Sequence, residues 1–323
     1  MVLNQDSGCS GGTERLLGIV ILNYNGFDDT VACVECFPAD AHGVRVFVVD
    51  NASSDDSFER LERNRALRLR DYCELIQSGS NLGYAGGNNV GIKRALNYGC
   101  THICVLNNDT LVELSELHKL ADYLDADTSC AFVGPVLVEN NGAGQTVQSA
   151  GASINLWTGD VSVRSSGVAR ESLKGSFPCD YIGGACIMFR ADDVTELGLI
   201  PECYFLFFEE TEWCLRAQHM GRTVVCCADA AIVHKGSSSI GKIEGLSAYL
   251  LARNTMRFEL RNASKVQAAV CLAYNAAYYC AKSLLRHDGS IKRVGYMLDG
   301  VHDVIREPYR GMVKLCRGEA GIF

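Results

Sequence analysis

Ile103-Cys104-Val105-Leu106-Asn107-Asn108-Asp109-Thr110 is a short β-prone apolar run that breaks into two amides and a carboxylate. A continuous apolar run of this length suits a strand buried on both faces, as in a parallel sheet. In open α/β sheets ligands bind beyond the carboxyl ends of the strands, which puts Asp109 beside a ligand. Amide and carboxylate oxygens are hard donors, suited to Mg2+ or Mn2+. Asn and Asp are also ordinary turn residues, so the neighbouring segments have to decide between a turn and a site.

Three upstream runs repeat the pattern. Leu16–Leu22 ends in Asn23-Tyr24-Asn25-Gly26, and Val44–Val49 ends in Asp50-Asn51-Ala52-Ser53-Ser54-Asp55. Cys73–Gln77 leads into Gly79-Ser80-Asn81-Leu82-Gly83-Tyr84-Ala85-Gly86-Gly87-Asn88-Asn89. Helices are expected from Phe27 to Phe37, from Ser54 or Asp55 through Leu67, and up to Tyr98. Strands alternating with helices predict a doubly wound, mostly parallel sheet flanked by helices. Right-handed crossovers bring the four polar strand ends to one edge, which is more than turn chemistry requires. Gly83-Tyr-Ala-Gly86-Gly87 is not GxGxxG, it follows the third strand, and no GxxxxGK[ST] occurs. That excludes a Rossmann dehydrogenase and a P-loop NTPase. A glycine-rich turn into a helix still brings N–H groups close to phosphates.

Downstream, a helix over Leu114–Asp125 and a strand over Cys130–Val138 continue the alternation. From Asn140 to Phe177 the chain turns to Gly, Ser, Thr and Asn, with Gly151–Ile154 and Val161–Arg164 as short antiparallel strands or a loop. Asp180–Phe189 reads as a strand carrying a Gly183-Gly184 step that allows close backbone approach, and Arg190–Leu197 as a short helix. The aromatic run Tyr204–Phe208 then meets Glu209, Glu210, Glu212 and Trp213 at the start of a helix running to Met220. Acids in a first turn suit the helix dipole. Closely spaced carboxylates also raise one another's pKa, which fits one of them as a general base. Thr223–Cys227 and Ala230–Val233 read as two short strands, the second ending in His234, placed as a metal ligand. Residues 246–323 read as helical. The run Val266–Ala281, flanked by Lys265, Lys282, Arg286, Lys292 and Arg293, suits either a packed helix or an interfacial amphipathic one.

The 323 residues are 48% hydrophobic with a net charge of -8, which argues against nucleic acid as a partner. Residues 1–15 read as a disordered tail without the apolar core of a secretory signal, so the 16 cysteines are expected reduced in the cytoplasm. Cys33-Val-Glu-Cys36 is an isolated CxxC inside a helix, a weak signal for metal or redox chemistry. No apolar run reaches the ~20 residues of a membrane-spanning helix.

Taken together, Ile19–Asn25, Val48–Asp55, Asn81–Asn89, Leu106–Thr110, Gly183-Gly184-Ala185, Phe207–Arg216 and Ala231–His234 resemble the family 2 glycosyltransferases of GT-A (nucleotide-diphospho-sugar transferase) fold, in particular their bacterial rhamnosyltransferase-like branch. The resemblance covers about residues 16 to 255. It implies a GT-A catalytic domain over 16–245, with a nucleotide-binding half (16–138) and an acceptor half (139–245), followed by a C-terminal helical extension. It implies that Asp50, Asn23, Tyr24 and Asn25 line the base pocket, and that Asn81, Gly86, Gly87, Asn88 and Asn108 flank ribose and diphosphate. Asn107-Asn108-Asp109 occupies the family's DXD position. Asn107 stands where the first acid is expected, so Asp109 is that motif's only carboxylate and shares Mg2+ or Mn2+ with His234 and the nucleotide phosphates. Glu210 matches the base, with Glu209 as its rival. Gly183, Gly184, Glu212 and Trp213 serve acceptor contact or support.

The implied reaction is an inverting sugar transfer from a nucleotide-sugar donor, first dTDP-L-rhamnose, then UDP-galactofuranose or a UDP-N-acetylhexosamine. The implied acceptor is a bacterial cell-envelope polysaccharide or its lipid-linked precursor. The implied location is the cytoplasm, peripheral to the inner face of the membrane through the C-terminal helices. A nucleotidyltransferase would want a basic phosphate loop after the first strand, which Asn23-Tyr-Asn-Gly26 lacks. A non-catalytic nucleotide-sugar-binding relative is the third alternative.

Overall fold

The structure is a computed structural model that describes residues 14–142, 144–236, 246–286 and 289–306. The tail expected at 1–15 lies outside the described residues up to position 13. The apolar runs form strands β1 (Leu17–Asn23), β2 (Val44–Asp50), β3 (Cys73–Gln77) and β4 (His102–Asn107). Between them stand α1 (Phe27–Glu35), α2 (Ser57–Arg63), α3 (Arg65–Arg68) and α4 (Gly83–Tyr98). There follow β5 (Thr110–Leu111), α5 (Leu114–Ala126), β6 (Cys130–Asn140), β7 (Gln145–Ser149), β8 (Ala152–Asn155), β9 (Asp160–Val163), β10 (Ser176–Pro178) and β11 (Cys186–Arg190). The chain closes with α6 (Asp193–Leu197), α7 (Glu209–His219), β12 (Thr223–His234), α8 (Leu246–Asn262), α9 (Lys265–Arg286) and α10 (Lys292–Arg306).

The main sheet runs β10-β12-β6-β11-β4-β1-β2-β3, with β5 on β12 and β7 on β6. β1 pairs in parallel with β2 and β4, and β12 with β6, while β11 enters antiparallel between β4 and β6. Alternation along β1 splits the core. Leu17, Ile19 and Ile21 share one core with Cys33 and Val34 of α1 and with Leu117, Leu120 and Leu124 of α5. Val20 shares the other core with Ala85, Ile92 and Ala95 of α4 and with Trp213, Cys214 and Ala217 of α7. With both faces covered, the strands read as continuous apolar runs. The carboxyl ends of β1, β2 and β4 reach one edge in register, Asn23 opposite Asp50 and Leu22 opposite Asn107.

Some expectations are corrected. The helix from Asp55 through Leu67 breaks at Asn64, whose Oδ1 accepts from the N–H groups of Ala66 (2.8 Å) and Leu67 (3.3 Å) and so caps a new short helix. The strand expected over Asp180–Phe189 exists only from Cys186 onward, because Asp180 and Tyr181 bond Ala152 instead. The two strands expected between Thr223 and Val233 are one strand, whose register slips between Cys227 and Ala231. Such a bulge shifts which residues face the core, and so it breaks the apparent periodicity. Gly151–Ile154 and Val161–Arg164 do supply a two-stranded antiparallel ribbon, β8 with β9.

The C-terminal helices form a small core of Ala252, Met256, Cys271 and Met297. α9 buries only Ala268, Cys271 and Asn275, while Val266, Val270, Tyr274 and Tyr278 are exposed on it. None of the described helices is long and apolar enough to cross a membrane.

Candidate functional site

The first two strand-end loops are tied into one buried network. Asn23 donates from Nδ2 to Asp50 Oδ2 (2.9 Å) and Ser53 Oγ (3.1 Å), and its Oδ1 accepts from Thr30 Oγ1 (2.8 Å). Asp50 also accepts from the Ser53 N–H (3.0 Å) and hydroxyl (2.5 Å). A carboxylate offers about four acceptor positions, so after these three bonds one remains for a ligand. Asn25, at φ 53°, binds the next loop by accepting from the Ser54 N–H (2.8 Å) and donating to its hydroxyl (3.0 Å). Tyr24 is exposed at the rim. Asn108 turns back to α1, donating to Thr30 Oγ1 (3.0 Å) and the Gly26 carbonyl (3.3 Å).

The third loop is held by Asn51, which donates to Asn81 Oδ1 (3.1 Å) and the Gly83 carbonyl (3.1 Å) and accepts from the Leu82 N–H (3.0 Å). Gly86 and Gly87 are buried inside α4 rather than in an open loop. A Cβ on Gly87 would collide with Leu22 and Asn51, so this glycine lets the helix close on the sheet. Asn88 is buried, donates to the Tyr84 carbonyl (3.0 Å) and leaves its Oδ1 without a partner.

Asp109 meets His234 across the sheet edge. β5 pairs with the end of β12, Thr110 opposite His234, and the Lys235 N–H bonds the Asp109 carbonyl at 3.0 Å. This places His234 Nε2 3.3 Å from Asp109 Oδ1. Gln148 on β7 donates from Nε2 to the His234 carbonyl (2.8 Å), which turns its Oε1 to His234 Nδ1 (2.9 Å). Nδ1 is then the donor to Gln148, and Nε2 is the ring nitrogen that faces the carboxylate. Both facing atoms are buried and unpartnered. The Asn107 backbone N–H bonds the Ala185 carbonyl at 2.9 Å.

That segment leads to the acids. The Tyr84 hydroxyl donates to the Gly184 carbonyl at 2.6 Å, and a Cβ on Gly184 would strike it. Burial pushes the carboxyl of Glu210 above its ordinary range, partly offset by backbone N–H groups of Glu210 and Gly184. Burial and the charge of Glu210 push Glu209 well above it. Two adjacent buried carboxylates titrate as a pair. Glu209 is 1% exposed, while Glu210 is partly open. Glu212 points elsewhere: it accepts from Arg261 Nε (2.8 Å) and Nη2 (2.9 Å), from Asn262 (3.1 Å) and from the Tyr204 hydroxyl. Burial alone would raise Glu212, but Arg261 outweighs it and holds the carboxyl at about 2. Trp213 is fully buried between Phe132 and Phe189 and donates to the Gly198 carbonyl. Glu212 and Trp213 are therefore supports rather than acceptor contacts. Cys33 of the CxxC is buried 3.7 Å from Thr110 Oγ1, and burial raises its thiol to about 12, away from the thiolate that a nucleophile needs at neutral pH.

The sequence profile described as Glycosyl transferase family 2 matches residues 18–195, more than half of the chain. The chain belongs to glycosyl transferase family 2. Among curated family relatives, it is 26% identical over 225 residues to "Low-salt glycan biosynthesis hexosyltransferase Agl10" of Haloferax volcanii, covering 68% of this chain and 66% of Agl10. It is 24% identical over 227 residues to "dTDP-rhamnosyl transferase RfbF" of Shigella flexneri, covering 68% of this chain and 69% of RfbF. The structure of GalNAc-T7 with UDP, GalNAc and Mn2+ superposes with a TM-score of 0.63 at 12% identity, over 90% of this chain and 55% of that one. The fold is GT-A, as the resemblance implied.

In this family 2 chain, Asp109 Oδ1 and His234 Nε2 face each other with neither making a hydrogen bond. Two like acceptors at that distance repel unless a cation or proton lies between them, and a carboxylate oxygen with an imidazole nitrogen suits Mn2+. Among the described residues no third His, Cys, Asp or Glu joins them, so the remaining ligands would come from the nucleotide and water. Sequence reasoning missed Gln148, Thr30 and Asn51. All three are neutral side chains whose work is to orient others, and Asn51, although inside the Val48–Asp55 run, sits beside a more conspicuous acid. Gln148→Leu should weaken Mn2+ binding about 10- to 100-fold, because the ring loses the partner that fixes its tautomer. An electron-paramagnetic-resonance titration of free Mn2+, with and without UDP, would show this, and unchanged affinity would refute it.

Proposed function

We propose that the chain is an inverting glycosyltransferase. It moves a sugar from a nucleotide-diphosphate donor, dTDP-L-rhamnose first, to a hydroxyl of a cell-envelope polysaccharide or its lipid-linked precursor. The observation that carries the reading is the facing, unpartnered pair Asp109 Oδ1 and His234 Nε2 at the edge where the strand-end loops meet. The likeness to RfbF, a dTDP-rhamnosyl transferase, supports the donor, and that to Agl10, a glycan-biosynthesis hexosyltransferase, supports a hexosyl group and a glycan acceptor.

The last acceptor position of Asp50 takes a base N–H, with Asn23, Tyr24 and Asn25 forming the walls. The Asn81–Asn88 segment flanks ribose and diphosphate, where Asn88 Oδ1 is free to accept. Asp109 and His234 would hold Mg2+ or Mn2+, which would spread the charge of the departing diphosphate. Glu210 takes the proton of the acceptor hydroxyl as its oxygen bonds the anomeric carbon. The bond from that carbon to the diphosphate oxygen breaks on the opposite face, and its electron pair leaves with the diphosphate. One displacement inverts the configuration and needs no covalent enzyme intermediate.

Exposed Val266, Tyr274 and Tyr278 on α9, with Leu298 and Ile305 on α10, lie among Lys265, Lys282, Lys292 and Arg293. This supports peripheral contact with an anionic bilayer, where a lipid-linked acceptor would be met. Flotation with phosphatidylglycerol vesicles but not with phosphatidylcholine ones is expected.

A panel of dTDP-rhamnose, UDP-galactofuranose, UDP-N-acetylhexosamines and GDP-mannose tests the function. The true donor raises the melting temperature in Mn2+ and is hydrolysed slowly without acceptor. Stabilisation by a UDP-sugar alone would move the donor to the second alternative, and no nucleotide-sugar binding at all would defeat the proposal.

A further inference from the structure

The acid pair sits on a backbone that is hard to hold. Phe205, Phe207 and Phe208 have φ of 70°, 70° and 77°, in the left-handed region that non-glycine residues avoid. All three lie within five residues of Glu210. Two elements pin this segment. On one side the Tyr84 N–H bonds the Phe205 carbonyl at 2.8 Å, at the start of α4. On the other is Asn254 of α8, which is fully buried. Its Nδ2 lies 3.1 Å from the Tyr204 carbonyl, 2.7 Å from that of Leu206 and 3.2 Å from that of Phe207. Its Oδ1 accepts from Arg253 Nη1 at 3.0 Å, and Arg253 is held by Asp303 of α10 at 2.6 Å. The amide is thus oriented from behind, with both donor hydrogens directed at the carbonyls of the strained turn.

We infer that Asn254 is a positioning residue for the transfer. By gathering the carbonyls of residues 204, 206 and 207, it keeps the turn in the left-handed geometry that starts α7 at Glu209 and aims Glu210 at the Gly184 side of the site. The C-terminal helices are then part of the catalytic apparatus and not an appendage to it. This inference rests on Glu210 as the base.

The test compares Asn254→Asp, nearly isosteric but without the two donors, and Asn254→Leu with wild type and Glu210→Gln. Hydrogen-exchange mass spectrometry should show exchange rising at least tenfold in peptides spanning 204–209 in both Asn254 variants, with β1 and β4 peptides unchanged. Turnover of the donor should fall about 100-fold with KM within threefold, because a misaimed base costs rate and not binding. Unchanged exchange at 204–209, or full turnover in Asn254→Asp, would overturn the inference. Full turnover in Glu210→Gln would instead overturn the base assignment. The exchange measurement needs no substrate, so it decides whether Asn254 holds the turn in either case.

Discussion

Glu210→Gln is expected to lower turnover about 10^2- to 10^4-fold, the range for losing a general base, with donor affinity within a few-fold of wild type. The amide keeps the shape of the side chain but cannot take a proton. Burial raises both carboxyls, so the pair ionises above the ordinary carboxylate range. A base works only when ionised. The wild-type rate should therefore rise with pH along an acidic limb displaced upward from about 4.3, and the residual activity of Glu210→Gln should lack that limb. Glu209→Gln is the comparison. Its side chain is enclosed and Glu210 is partly open, so it should lose less. A fall in Glu209→Gln alone would transfer the role to Glu209.

The second large effect is on stability. Arg261→Leu leaves Glu212 buried with its main counter-charge gone, which typically costs 3–5 kcal/mol. For a chain of this size that corresponds to a loss of roughly 10 °C in melting temperature. The pH dependence has a definite sign. Glu212 lies at about 2 when folded and near ~4.3 when unfolded. Its contribution is therefore fully present above about pH 4.3 and fades as the pH falls toward 2. In Arg261→Leu the penalty should be largest at pH 7 and shrink in acid as the carboxyl takes a proton. Pairing it with Glu212→Met should recover part of the loss, since the buried carboxylate is removed while Arg216, 3.5 Å from it in the wild type, keeps its bond to the Leu197 carbonyl. Denaturant titrations at pH 7 and pH 3.5 measure this, and a loss under 1 kcal/mol at pH 7 would contradict the account.

The strands and their meeting edge were legible because burial on both faces writes apolar runs that end in polar loops. Asp109 and His234 stood out in the sequence because several polar strand ends converge on one edge, and Glu209 and Glu210 because acids crowd one helix start behind an aromatic run. Other features had no local signature. β11 runs antiparallel between two parallel strands, a choice made by the long excursion through β7–β10 rather than by its own residues. Asn254 lies in an apolar helix pattern that gives no hint of the three carbonyls it meets. Gly86 and Gly87 read as part of an open loop, whereas both are buried within α4, because glycine marks close approach without saying to what. Trp213 and Glu212 followed the acids in sequence, yet the helical turn of about 100° per residue sends them to the core and to α8.

The pairing of β5 with the end of β12 has a consequence for how the molecule is made and kept. Asp109 is synthesised in the first half of the chain, and its partner His234 arrives only after the whole excursion through β6 to β11. A nascent or clipped fragment ending at residue 138 holds one donor and not the other. A cation gripped between the two would recognise only the finished fold and not its intermediates or its unfolded chain. By mass action it would pull the folding equilibrium forward, and resistance of the folded chain to proteolysis would then rise with Mn2+ concentration.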